Sequence, residues 1–336
     1  MRLCLTLAGG TSKLPAVMRV LSGFDAARGQ QLAGCAVALG NFDGVHLGHR
    51  ALFREAMERA RGLRRPAVAA TFEPHPGKVL AAELAPKVIT PLPRKLELLE
   101  ALGLDAVIVQ RFDESYADLP APEFLERDLF GALAPSWVVV GPDFTFGRGR
   151  GGTVGDLLAA AALYKAGFTK VEPVTCDGVV VSSTKIREFI AEGRVGAAAR
   201  LLGRPFDVQG RVVHGEGRGR RLGFPTANLE CEGEVRPRNG VYAVRAFFGG
   251  AVYAGAANIG RKPTFGKGEV TIEIFLFDFD GDLYGTPMSV EFLKRLRGEQ
   301  RFSSVEELSR QISEDCEAAR AALARVEPPG RLSPRA

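Results

Sequence analysis

A chain of 336 residues, 46% hydrophobic and 25% charged, has the makeup of a globular protein and the length of about two domains. Its formal charge of +5 is small for that length and its arginines are scattered, so the composition argues against a nucleic-acid-binding chain and is compatible with anionic small substrates. The cysteines (Cys4, Cys35, Cys176, Cys231 and Cys316) are odd in number and form no Cys-x-x-Cys pair, which argues against a disulfide framework and for a reduced, cytoplasmic setting. No apolar run is long enough to span a membrane, and Leu3–Leu7 is too short an apolar stretch for a signal peptide.

Residues 1–20 read as an N-terminal extension. From there to residue 203, short apolar runs alternate with helical patterns. Strands are predicted at Ala36–Leu39, Ala67–Thr71, Ala106–Val109, Trp137–Val140 and Lys170–Val174. Helices are predicted at His49–Arg61, Arg94–Leu102, Ala121–Leu129, Val154–Ala166 and Ser183–Glu192. The strand runs lack polar alternation, as strands of a parallel sheet covered on both faces do. A Rossmann-like α/β domain over 21–203 follows, with ligands expected beyond the carboxyl ends of its strands. Near Gly203-Arg204-Pro205 the texture changes. Strand-like runs at Phe206–His214, Val241–Phe247, Val252–Ala257, Val270–Phe277 and Met288–Phe292 are separated by glycine turns, with Gly249-Gly250 as a hairpin signal. These predict an antiparallel barrel or sandwich over 204–326. An amphipathic helix over about Ser304–Leu323 closes it, with Ser303 or Ser304 as N-cap. Residues 327–336 read as a flexible tail.

The chemistry concentrates in a few stretches. Gly40-Asn41-Phe42-Asp43-Gly44-Val45-His46-Leu47-Gly48-His49 joins an apolar strand to an amphipathic helix. Backbone N–H groups at a helix N-terminus attract anions, and histidines there can hydrogen-bond phosphate oxygens and neutralise their charge. A metal site is the weaker alternative, because no third ligand completes the His46/His49 pair. Incidental surface histidines are the other. Thr71-Phe72-Glu73-Pro74-His75-Pro76 leaves the next strand, and His75 could meet a nucleotide there. In Gly141-Pro142-Asp143-Phe144-Thr145-Phe146-Gly147, Asp143 could hold a hydroxylated ring, while Phe144 and Phe146 are assigned to the core. Ser182-Ser183-Thr184-Lys185-Ile186-Arg187 opens a helix, where hydroxyls cap and basic side chains can grip a triphosphate. Gly147–Gly152 matches Gly-x-Gly-x-x-Gly, the mark of a dinucleotide-binding oxidoreductase, but it does not directly follow a strand and is read as a mobile basic loop.

In the second half, a glycine-rich basic loop carrying Gly217, Gly219 and Gly223 leads into Pro225-Thr226-Ala227-Asn228. Such loops approach phosphates through backbone N–H groups, and Thr226 and Asn228 offer oxygen donors of the kind Mg²⁺ takes. A polar turn between strands is the plain alternative. Glu273 is a carboxylate inside an apolar strand, either a functional acid or a solvent-facing residue. Asp278–Asp282 imitates a calcium loop but lacks its glycine and glutamate, and is read as a charged turn.

The His46–His49 string resembles the His-x-Gly-His signature of nucleotidyltransferases, and the longer block resembles the adenylyltransferase module of bacterial bifunctional riboflavin kinase/FAD synthetases. The His75, Asp143 and Ser182–Arg187 stretches resemble the same module in the same order. Residues 206–318 resemble the riboflavin kinase module, through the Gly210–Asn228 block, Asn239–Ala243, Asn258–Phe265, Glu273, Leu283–Gly285 and Arg297–Glu299. The resemblance implies a parallel-sheet nucleotidyltransferase domain followed by an antiparallel barrel of riboflavin kinase type with a terminal helix. It implies phosphorylation of riboflavin to FMN by the barrel and adenylylation of FMN to FAD by the first domain, with ATP as co-substrate, Mg²⁺ as cofactor and flavoproteins as recipients of the FAD. His46 and His49 would stabilise the α/β-phosphates. Gly40, Asn41, Phe42, Asp43, Gly48, His75, Ser182, Ser183, Thr184 and Arg187 would bind ATP, and Asp143 the flavin. Gly217, Gly219, Gly223 and Pro225 would line the kinase site, Thr226 and Asn228 would bind Mg²⁺ and phosphates, Glu273 would be the general base, and Arg297 would sit near the flavin. Neither nucleic acid nor membrane is an expected partner.

Overall fold

A computed structural model of the chain describes residues 17–215, 219, 223–231, 235–261 and 270–326. Most of the expected extension, the expected tail, Cys4, Gly217 and part of the Asn258–Phe265 block lie outside the described residues. In chain order the first half runs β1 (Arg19–Ser22), β2 (Ala36–Leu39), α1 (Leu47–Leu63), β3 (Ala67–Glu73), α2 (Pro76–Leu80), α3 (Leu92–Ala101), β4 (Ala106–Arg111) and α4 (Glu114–Ala117). It continues through α5 (Ala121–Glu123), which runs on as a π-helix over Phe124–Leu133, to β5 (Trp137–Val140), α6 (Val154–Leu163), β6 (Gly167–Lys170), the pair β7 (Thr175–Cys176) and β8 (Val179–Val180), α7 (Ser183–Ala191) and α8 (Val195–Leu202). Six strands form one sheet in the order β1-β4-β3-β2-β5-β6, all parallel. All four residues of β2 are buried, because β3 and β5 flank it and helices cover both faces. The chain leaves β2 toward β3 on one side and returns to β5 on the other. The carboxyl ends of β2 and β5 therefore border a crevice where the strand order reverses.

Two departures from the sequence reading have local causes. β1 begins at Arg19, inside the expected extension, and pairs with β4. It is an edge strand whose residues are largely exposed, so it carries no apolar signature. β6 begins at Gly167 rather than Lys170, because Gly167 lies opposite Trp137 and a Cβ there would collide with the indole.

The second half contains β9 (Phe206–Val213), β10 (Ala227–Cys231), β11 (Gly240–Phe248), β12 (Ala251–Arg261), β13 (Val270–Leu276) and β14 (Pro287–Arg297), closed into an antiparallel barrel in the order β10-β13-β12-β11-β14-β9. A barrel, not a sandwich, thus forms. Gly249 and Gly250, at φ 57° and 76°, make the expected hairpin turn between β11 and β12. β10 is a strand where the sequence reading predicted none. The last helix, α9 (Val305–Leu323), is capped by Ser304, whose Oγ accepts the Glu307 N–H at 3.1 Å. One apolar core joins the two halves: Ile186, Phe189 and Ile190 of α7 and Leu201 and Leu202 of α8 share it with Phe206, Tyr242 and Phe292 of the barrel.

Candidate active sites

The loop after β2 is held from below. Asp43 is 2% exposed; its carboxylate accepts the N–H groups of Ile89 and Thr90 at 3.0 Å and the Arg187 guanidinium at 2.5 Å. Lys95, 3% exposed, donates to the Asn41 carbonyl at 3.0 Å, and the Thr71 hydroxyl donates to the same oxygen. Burial lowers the Lys95 pKa, opposed by Glu73 and Asp43. Lys95 was missed by sequence reasoning. The available signal was a lysine on the same face of α3 as the buried Leu98 and Leu99.

Above this support lie the histidines. His46 caps α1: its Nδ1 accepts the His49 N–H at 3.2 Å. In the neutral ring the proton is therefore on Nε2. The two rings stack at 3.5 Å with 16° between planes, and Phe42 meets His49 edge-on. His49 Nδ1 is buried with no hydrogen-bond partner among the described residues. Burial pushes His46 down to about 4, with the charges of Arg204 and Arg187 adding to it, and burial drives His49 well below its ordinary value. At neutral pH both rings are uncharged in the unliganded protein. In that state neither ring carries a positive charge of its own.

Two cavities meet beside this loop. One, of about 280 Å³, is walled by Gly40, Phe42, His46, Gly48, His49, Ser182 and Ser183. The other, of about 390 Å³, is aromatic, with Phe72, Phe112, Tyr116 and Phe146 in its wall beside Asn41 and His75. Asp143 and Phe144 line both. Phe146 is buried in the core as expected, and Phe144, half-buried, packs against the same core while lining both cavities. Ser182 Oγ caps α7 by accepting the Lys185 N–H at 3.2 Å, and Ser183 donates to the Asp43 carbonyl at 2.8 Å. Asp43, Thr184 and Arg187 line neither cavity: the first and last form the pair under the loop, and Thr184 faces solvent. His75 caps α2 through Nδ1 and is lowered by burial. The Gly147–Gly152 string closes on itself through a Phe146–Gly152 bridge. The N-terminus of α6 beyond it carries the reciprocal Thr153/Asp156 cap, which satisfies the Thr153 and Asp156 N–H groups.

In the barrel, Glu273 points outward from β13, between Asn228 of β10 and Asn258 of β12 in the cross-strand register. It borders a cavity of about 350 Å³ between the barrel wall and α9, whose lining includes Gly219, Phe224, Thr226, Arg297 and Cys316. Arg297 is held by the Asp315 carboxylate of α9 at 2.8 and 2.7 Å. Asp315, 6% exposed, is a second residue that sequence reasoning passed over. A neighbouring cavity of about 270 Å³ is lined by Pro225, Thr226, Asp280, Asp282 and Tyr284. Thr226 borders both. The Asn228 Oδ1 is buried and unpartnered among the described residues. Gly223, at φ 85°, supplies the turn into this segment. In the Asp278–Asp282 turn, Asp278 pairs with Arg320 of α9 and Asp282 accepts the Tyr284 N–H, so two of its carboxylates already have partners. Among the described residues, no group of three or more His, Cys, Asp or Glu is placed to hold a metal, and no helix is long and apolar enough to cross a membrane.

Comparison with known proteins identifies the two halves. Residues 28–185 match the FAD synthetase family and residues 202–323 the riboflavin kinase family. The chain is 41% identical to the bifunctional riboflavin kinase/FMN adenylyltransferase of Escherichia coli strain K12 over 84% of its own length and 90% of the relative's. It is 40% identical to the Bacillus subtilis strain 168 protein of the same description, over 85% and 92%. A solved structure from Streptococcus pneumoniae, described as a macrolide-efflux protein, superposes with a TM-score of 0.82 at 33% identity, covering 90% of this chain and 99% of that one. With both domains present in the order of these relatives, the chain belongs to the bifunctional riboflavin kinase/FMN adenylyltransferase family and is an enzyme of flavin cofactor synthesis that uses ATP.

Proposed function

We propose that the two reactions divide between the halves at residues 21–203 and 204–326, and that the residues lining the paired cavities carry them. In the barrel, riboflavin occupies the cavity under α9 and ATP the neighbouring one. Glu273 takes the proton of the ribityl 5′-hydroxyl as that oxygen attacks the γ-phosphorus and ADP leaves. The observation that carries this reading is the row Asn228–Glu273–Asn258 beside Thr226, the residue common to both cavities. Gly219, Gly223 and Pro225 line the nucleotide's approach, and Arg297, fixed by Asp315, contacts the flavin. Thr226 and Asn228 would hold Mg²⁺: the unpartnered buried Asn228 oxygen fits a hard cation that keeps several waters and takes the rest of its ligands from phosphate. When bound, the cation supplies charge neutralisation at the transferred phosphate.

In the sheet domain, FMN occupies the aromatic cavity and ATP the histidine-lined one. An FMN phosphate oxygen, already anionic, attacks the ATP α-phosphorus and pyrophosphate leaves, so no enzyme base is required. Positioning and preorganised donors then carry the rate. His46 donates through Nε2, joined by His49, the N-terminus of α1 and Ser182. Gly40, Asn41, Phe42, Gly48, Ser183 and His75 shape the site, and Asp143 binds the flavin. Asp43 and Arg187 act by holding the loop, and Thr184 by opening α7. The cytoplasm suits this chemistry, since the four described cysteines are unpaired, and flavoproteins are the recipients of the product.

Selective inactivation tests the division. Glu273→Gln should abolish FMN formation from riboflavin and spare FAD formation from FMN; His46→Ala/His49→Ala should do the reverse. Loss of both reactions in either variant, with the protein folded, would overturn the assignment.

A further inference from the structure

The segment joining the two halves reaches into the adenylyl-transfer site. Arg204 Nη1 donates to the Gly44 carbonyl at 2.9 Å, two residues before His46. Gly44 is at φ 91°, a conformation that needs glycine, and it is packed against Ile89 and Leu202. The Arg204 Nε is buried with no hydrogen-bond partner among the described residues and faces the Asp207 carboxylate at 3.7 Å. Asp207 is on β9, 9% exposed, and its other oxygen accepts from Arg94 of α3 at 2.7 Å. Arg94 in turn pairs with Glu97, which also accepts from Gln209 of β9. Arg50 of α1 reaches the Gly203 carbonyl from the other side. The Arg204–Gly44, Asp207–Arg94, Gln209–Glu97 and Gly203–Arg50 links run from a barrel strand, or the residues leading into it, to the loop or to a helix beside it. Arg204 lines neither cavity of the sheet domain.

We propose that Arg204 and Asp207 are positioning residues of the adenylyl-transfer site: the barrel braces the histidine loop through the Asp207–Arg204–Gly44 chain, and the transferase site is structurally incomplete without it. The inference rests on the assignment of adenylyl transfer to the His46/His49 loop. Because Arg204 touches the loop and not the nucleotide, its loss should misplace the donors rather than weaken ground-state binding. A misplacement of the order of an ångström in a preorganised site is worth up to about a hundredfold in rate.

The test uses the full-length chain, in which riboflavin phosphorylation serves as an internal control for folding. FAD formation from FMN and ATP, and FMN formation from riboflavin and ATP, are measured as separate kcat and KM values. Arg204→Ala should lower kcat for FAD formation by about tenfold to a hundredfold, with the KM for ATP changed less and the kinase parameters kept. Asp207→Asn should act in the same direction, and Arg204→Lys, which keeps a donor and the charge, should recover part of the rate. The proposal is overturned if transfer is unchanged in Arg204→Ala, if only the KM for ATP rises, or if all three variants lose both activities in proportion. Failure of the unaltered chain to make FAD from FMN would instead overturn the underlying assignment, and the inference with it.

Discussion

Replacing Asp43 with alanine separates support from substrate contact. Its carboxylate is 2% exposed and satisfies the Ile89 and Thr90 N–H groups and the Arg187 guanidinium. Alanine leaves both N–H donors without their partner, at about 1–3 kcal/mol for a buried unsatisfied group. It also leaves Arg187, whose side chain is 18% exposed, without its counter-charge; breaking a buried pair from one side costs about 3–5 kcal/mol. These costs overlap because the groups share one carboxylate, so the expected net loss is about 3–5 kcal/mol. Asp43→Asn keeps one acceptor and should cost less. Trp137, the single tryptophan, is on β5 of the same sheet, so its fluorescence during urea denaturation reports this domain. The midpoint should fall with little change in slope, and FMN adenylylation should fall with the folded fraction. An unchanged midpoint together with lost adenylylation would refute the reasoning and make Asp43 a substrate ligand.

Two further predictions follow from the buried groups. His46 is lowered from 6.5 to about 4 by burial and by Arg204 and Arg187; between those values the unfolded chain binds a proton that the folded one does not, so stability rises with pH across that window and is lost as pH falls through it. The slope amounts to roughly 3 kcal/mol over the window, and His46→Gln should flatten it in urea melts at pH 4.5 to 7, whereas an unchanged pH dependence would mean that His46 protonates freely in the fold. In the barrel, Asp315→Ala should release Arg297 from its hydrogen bonds to that carboxylate and raise the KM for riboflavin about tenfold or more; steady-state phosphorylation assays check it, and an unchanged KM would mean that Arg297 does not depend on Asp315.

The sequence was most legible where one physical signal dominates. Ala36–Leu39 and Trp137–Val140 coincide with β2 and β5 because central parallel strands are apolar throughout. The Gly249-Gly250 turn and the Ser304 cap followed from backbone conformation and helix-end chemistry. β1 escaped notice because an edge strand need not be apolar. β10 did so because its Asn228 and Glu230 are outward-facing positions of a barrel whose closure is a long-range event. The motif residues were readable as a set, but their division of labour was not. Asp43 and Arg187 satisfy each other beneath the loop, and Lys95, Arg204 and Asp315 act through carbonyls or partners far away in the chain. Such pairings depend on which elements pack together, which periodicity and spacing do not encode.

On the proposed division, one chain holds two separate sites, each lacking the other's chemistry. Mixing the two inactivated proteins tests it most directly. Glu273→Gln alone, given riboflavin, ATP and Mg²⁺, should leave riboflavin unchanged, and His46→Ala/His49→Ala alone should stop at FMN. The mixture should form FMN and then FAD, with one pyrophosphate per FAD, as resolved by chromatography over time. A mixture of folded variants that yields no FAD, or a histidine variant that makes FAD unaided, would rule out two separate sites divided in this way.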